Sequence, residues 1–164
     1  MKTLVPVIVG AFVALSPNPP MRAQSGSVMT ANSVSAIATL RAITAAQITY
    51  SVTCGRDGYA SSLKVLATPP PGATEPFLET DLKPEQPQKS GYEFVLTAGA
   101  KSSPGGTDCA GNKTVSKFYA AATPLKLGVT GARSFAVTDS NTIWVLDGGV
   151  APKEPFGPPA KPLN

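Results

Sequence analysis

The chain has 164 residues, 42% hydrophobic and 15% charged, with two cysteines, no histidine and a formal charge of +4. That length suits one domain with a sizeable core. Without histidine, Ser-His-Asp and Cys-His centres built from this chain alone are excluded, and a small, scattered positive charge excludes an electrostatic nucleic-acid surface.

Residues 1–23 read as a secretory signal peptide. Lys2 supplies the positive start, residues 4–15 form a run with no charge, a Pro-rich stretch covers 16–20, and Ala23 is a small residue at the cut. The uncharged run falls short of the about 20 residues that span a bilayer. Cleavage leaves about 140 residues with no stable membrane span, and places the chain in the periplasm or outside the cell. Loss of Lys2 and Arg22 lowers the formal charge to +2. In an exported chain, Cys54 and Cys109 read as a disulfide. The alternative, a metal pair, lacks the usual zinc ligands.

Residues 24–31 are small and polar and read as a flexible leader. A long helix follows over residues 32–54, which hold no Pro or Gly. Asn32 or Ser33 is placed to cap its first turn. Val34, Ile37, Leu40, Thr44 and Ile48 recur at spacings of three and four and predict the face turned to the sheet. The β-branched run from Ile48 to Thr53 weakens the helix toward its end. Ile43, Ala46 and Tyr50 form a second apolar strip on the opposite side. Either a loop of the same chain or a second protein covers it, which makes these three the candidate partner contacts.

Gly55, Arg56, Asp57 and Gly58 predict a turn, and a short helix capped by Ser61 follows, with Leu63 and Leu66 inward. Residues 68–89 form a connection with six prolines, too Pro-rich for a central strand and pinned by Phe77 and Leu82. Alternation of Tyr92, Phe94 and Leu96 with Glu93, Val95 and Thr97 predicts the first strand. Further strands are expected at residues 114–123, 132–137 and 142–146, the last two joined by a hairpin turn at 138–141. The tail, 150–164, carries five prolines and reads as extended or disordered. The expected fold class is α+β, a long N-terminal helix packed on a four-stranded antiparallel sheet, with residues 32–149 as the domain.

Chemistry is sparse. Ser61 and Lys64 have Ser-x-x-Lys spacing, which also describes a helix cap followed by an exposed lysine. Glu75, Glu79, Asp81 and Glu85 are close in sequence, but a Pro-rich loop fixes little geometry between them. No catalytic residue is assigned. The metal candidate is calcium at Asp139, Asn141 and Asp147, an oxygen set that needs backbone carbonyls and water to complete it; a plain turn explains the same residues. No other cofactor is expected.

The run Ala36-Ile37-Ala38-Thr39-Leu40-Arg41-Ala42-Ile43-Thr44-Ala45-Ala46-Gln47-Ile48-Thr49-Tyr50 resembles the second half of the long helix in type IV pilins and type II secretion pseudopilins. Gly58-Tyr59-Ala60-Ser61-Ser62-Leu63 with Leu66 is similar to the segment after that helix. Lys89-Ser90-Gly91-Tyr92-Glu93-Phe94 is similar to the start of the pilin sheet, and Thr130-Gly131-Ala132-Arg133-Ser134-Phe135 with Asp139 and Ile143 to its closing hairpin. The resemblance spans residues 33–149. It departs from the family at the start, where the prepilin processing site, the acidic residue near it and the long apolar half-helix are not found. It implies a pilin-like globular domain, a non-catalytic structural or interaction protein tied to pilus or type II secretion assemblies, and a calcium site in the later loops. The alternative is a periplasmic or extracellular binding module for a small ligand or glycan, using Tyr119 and Trp144.

Overall fold

The computed structural model describes residues 21–84 and 86–163. The uncharged run expected in the signal peptide lies outside them, as does Glu85.

One helix, α1 (Met21–Thr53), dominates the molecule. It takes in residues 24–31, so the segment expected as a flexible leader is helical. Asn32 and Ser33 therefore sit inside the helix and cap nothing. Asn32 Nδ2 donates to Thr130 O at 2.9 Å, and Ser33 Oγ lies 3.1 Å from Tyr92 Oη, tying the helix to the sheet. The β-branched end stays helical. Ser51 and Thr53 hydroxyls donate back to the carbonyls of Ile48 and Thr49, and Tyr50 is anchored in the core. The helix stops where Arg56 and Asp57 take positive φ, with Cys54 and Gly55 N–H both donating to Tyr50 O. A Cβ at Gly55 would collide with the Tyr50 ring and Gly58 O, so this turn requires glycine.

The sheet content is larger than expected. After α1 come β1 (Tyr59–Ala60), α2 (Leu63–Leu66), a 3-10 turn (Thr80–Leu82), β2 (Gln88–Lys89), β3 (Tyr92–Ala98), β4 (Pro104–Thr107), β5 (Lys113–Val115), β6 (Phe118–Pro124), β7 (Arg133–Thr138), β8 (Trp144–Asp147) and β9 (Lys161–Pro162). They form two antiparallel sheets: three strands in the order β1-β5-β4, and six in the order β2-β3-β6-β7-β8-β9. This corrects the expected fold of a helix on one four-stranded sheet. The strand expected at 114–123 is two strands in different sheets. The break falls at Ser116 and Lys117, whose N–H groups turn aside to Ser103 O and Ser102 Oγ. The other strands missing from the expectation are two to four residues long, and two of them, β4 and β9, hold Pro, so they carry no period-two signal.

α1 packs on β6 and β7 and on β1. Its buried residues include Ala36, Leu40, Ile43, Gln47 and Tyr50, a regular three-four repeat that Cys54 continues just past its end. They meet Tyr92, Phe94, Leu96, Phe118, Ala120, Ala122, Phe135 and Val137 from the sheet. The connection after α2 is held by Phe77, edge-on to Tyr50 at 5.5 Å, and by buried Leu78 and Leu82. α2 is capped by Ser62 rather than Ser61, its hydroxyl accepting from Val65 N–H.

The tail is part of the fold rather than a free end. β9 pairs with β8, Leu163 N–H donates to Ile143 O at 2.8 Å, and Ala160 is buried.

Candidate functional site

The sequence expectation for the helix faces holds only in part: Leu40 and Thr44 are buried as predicted and Ile37 is half-buried, but the rest of the assignment fails. Ile43, Ala46 and Tyr50, the candidate partner contacts, are 0%, 4% and 1% exposed and lie in the core. Val34 and Ile48, expected to face the sheet, are 61% and 51% exposed, with Val52 at 72%. Burial of polar side chains explains the difference. Gln47 is fully buried because its Nε2 donates to Ala60 O and its Oε1 accepts from Ala60 N–H, clamping β1 to the helix. Tyr50 is buried because its hydroxyl has a carboxylate partner. A hydropathy pattern scores Gln47 as outward and so breaks the true core stripe between Ile43 and Tyr50.

The outward face of α1 carries Ala31, Val34, Ala38, Ala42, Ala45, Ile48 and Val52, all exposed, and Arg41 is its charged residue between Val34 and Val52. A cleft of about 590 Å³ runs beside it, between Arg41, Thr44 and Ile48 on the helix and Thr142, Ile143 and Leu163 on the β7–β8 turn and tail. On the other flank, a cleft of about 340 Å³ is bordered by Thr39, Leu78, Glu79 and Lys89. There Lys89 Nζ pairs with Glu79 at 2.5 Å and Asp81 at 3.0 Å. The hydrogen bonds to Glu79 and Asp81 hold its ammonium above the usual lysine value. Two of the clustered carboxylates are therefore engaged with a lysine rather than with each other.

At the far end of α1 a polar node is buried. Asp108 is 4% exposed. Its Oδ2 accepts from Tyr50 Oη at 2.7 Å and Asn112 Nδ2 at 3.0 Å, and its Oδ1 from Ala110 and Asn112 N–H at 2.8 and 2.7 Å. Burial pushes this carboxyl up, but the bonds from Asn112, Tyr50 and Ala110 together hold it below the usual aspartate value. The next residue, Cys109, is disulfide-bonded to Cys54, with Cα atoms 4.9 Å apart. All four acceptor sites of Asp108 serve the fold, and the node is structural.

The calcium candidates do not converge. Asp139 and Asn141 lie in the β7–β8 turn, where Asn141 takes positive φ and donates to Thr138 O. Asp147 is paired with Arg133 at the other end of the hairpin, three residues along the strand from Trp144, or about 10 Å. One cation cannot reach both ends. Among the described residues, no group of three or more acidic, Cys or His side chains is placed to hold a metal ion.

Tyr119 and Trp144 are brought together by a residue the sequence reading did not single out. Phe156 from the tail stacks on Trp144 at 5.2 Å and lies 6.4 Å from the Tyr119 ring. Tyr119 Oη donates to Pro152 O at 2.6 Å, and burial, with the charge of Glu154, pushes its phenol up to about 12. A groove of about 420 Å³ lies beside Tyr119, against Ala98, Val150 and Lys153. Among the described residues no helix is long and apolar enough to cross a membrane. No family model, curated protein or solved structure matches the chain.

Proposed function

We propose that the chain is a non-catalytic structural or interaction protein of the periplasm or cell exterior, working through protein–protein contact in a pilus or type II secretion assembly. The observation that carries this reading is the outward face of α1. A solvated helix face ordinarily carries several charges, whereas this one presents Val34, Ile48 and Val52 around the lone Arg41. The Cys54–Cys109 bond supports an oxidising compartment. The resemblance of residues 33–149 to pilins and pseudopilins supports the assembly named.

The test is photocrosslinking in producing cells from a benzophenone residue at position 34, 48 or 52, with position 139 as control. A common adduct at the three helix positions, identified as a pilus or secretion component, supports the reading. Adducts no different from those at position 139 reject it.

The second reading, a binding module for a small ligand or glycan, draws on the groove beside Tyr119. Phe156 occupies the aromatic face such a ligand would stack on, so binding there displaces the tail or uses the ring edge alone.

A further inference from the structure

The longest strands among the described residues are β3 and β6, with seven residues each, and β3 is open along half of one side. Its inner side pairs with β6 over its whole length, from Tyr92 to Ala98. Its outer side pairs with β2 only at Tyr92 and Glu93. Phe94 N–H still donates to Pro87 O at 2.9 Å, but proline has no N–H to return, and pairing stops there. In an antiparallel ladder alternate residues point their N–H and C=O to the same neighbour. Leu96 and Ala98 therefore point the same way as Phe94, and beyond Pro87 no strand lies on that side among the described residues.

The other outer strands are blunted. β1, β2 and β9 are two residues long, β9 contains Pro162, and β4 begins with Pro104 and has a register shift. Beside the open part of β3 the structure leaves space rather than a covering element. A groove of about 350 Å³ separates the edge from α2 and from Pro84, with apolar walls at Leu63, Phe94 and Leu96 and one charged lining residue, Lys64.

We propose that the outer edge of β3 at residues 96–98 takes an extended polypeptide segment as an added strand. The backbone groups of Leu96 and Ala98 give it hydrogen bonds. One apolar side chain of the segment enters the space between Leu63 and Pro84, and an acidic side chain next to it meets Lys64. This site is separate from the outward face of α1, so either surface can fail its test without the other.

The test uses amide hydrogen exchange by NMR on the exported protein. Without ligand, Leu96 N–H exchanges at least about tenfold faster than Val95 and Thr97 N–H, which face β6. The probe is an acetylated, amidated heptapeptide of alternating threonine and valine with one glutamate, titrated to about 1 mM so that dissociation constants up to that value register. Binding shifts the Leu96 and Ala98 amides and slows Leu96 exchange by about tenfold. Methylating the peptide nitrogens on one set of alternate residues abolishes binding, while methylating the other set does not. Lys64→Glu, an exposed change, weakens the glutamate peptide and strengthens one carrying lysine instead. The proposal is overturned if Leu96 is already as protected as Val95, if the parent peptide leaves Leu96 and Ala98 unshifted, or if both methylated peptides bind alike.

Discussion

Tyr50 and Asp108, 58 residues apart in sequence, are joined by a 2.7 Å hydrogen bond beside the Cys54–Cys109 disulfide. The pair fixes the end of α1 to the loop between β4 and β5. The covalent bond limits how far the two segments can separate, and the hydrogen bond sets how they meet. Cys109 N–H also donates to Cys54 O at 2.9 Å, a main-chain contact in addition to the sulfur bridge.

This node gives stability a dependence on pH at both extremes. The Asp108 carboxyl is held below its usual range. Its contribution is present above the unfolded value of about 4 and disappears as pH falls through the lower folded value. The Tyr50 phenol is pushed well above its usual range by burial, then by its bond to Asp108 and by that carboxylate's charge. Its contribution is present below the unfolded value of about 10 and is lost as pH rises toward the folded value. Urea midpoints should be flat near neutrality and fall on both sides. Asp108→Asn should flatten the acid limb. Tyr50→Phe should reduce the alkaline limb to the parts that Tyr119 and Lys89 supply, shrink the acid one, and cost about 1–3 kcal/mol at neutral pH.

The disulfide closes a loop with a sequence separation of 55 residues. Chain entropy assigns such a loop about 4 kcal/mol, and measured losses run from about 2 to 5 kcal/mol. Cys54→Ser with Cys109→Ser should therefore lower unfolding free energy by about 2–4 kcal/mol while the far-ultraviolet circular dichroism keeps its helical signal. A double variant as stable as the parent would show that the node holds without the bond.

What the sequence made legible was whatever had a strong local signal. β3 alternates cleanly, so its inward set of Tyr92, Phe94 and Leu96 reads correctly. The hairpin of β7 and β8 announces itself through polar turn residues, and the two cysteines leave one pairing. The face of α1 was legible only at Leu40 and Thr44, because Gln47 belongs to the core only once Ala60 is beside it, and nothing in the residues near Gln47 foretells that. β9 was hidden by Pro162 and by its length of two residues, and it is a strand because β8 offers it an edge. Phe156, the residue that fills the aromatic site, sits among prolines in a stretch with no periodic pattern.

The two faces of α1 should respond oppositely to the same substitution. Ile43→Asp buries a carboxylate among Leu40, Phe94 and their neighbours in the core and should unfold the chain or cost about 4 kcal/mol or more. Val34→Asp, Ile48→Asp and Val52→Asp fall on exposed positions and should each change stability by about 0.5 kcal/mol or less. Chemical denaturation of the four variants reads this directly. Severe loss at Ile48 with tolerance at Ile43 would restore the opposite helix orientation.

In the tail, Phe156 is half-buried against Trp144, the single tryptophan of the chain. Phe156→Ala removes that stack and should shift Trp144 emission to the red at a cost of about 1–2 kcal/mol. Truncation after Gly149 removes more: β9, Leu163 against the core, and the Glu154 carboxylate that accepts from Ala100 N–H at 2.7 Å. It also uncovers Tyr119 and takes away the neighbouring negative charge of Glu154. Since burial first and that charge second raise the phenol to about 12, its titration in the truncated chain should fall toward the ordinary value of about 10. Ultraviolet titration at the tyrosinate band follows this, with Tyr119→Phe as the reference that identifies the moving group. If the band titrates alike with and without the tail, Tyr119 owes its shift to the sheet alone and the tail is only loosely seated.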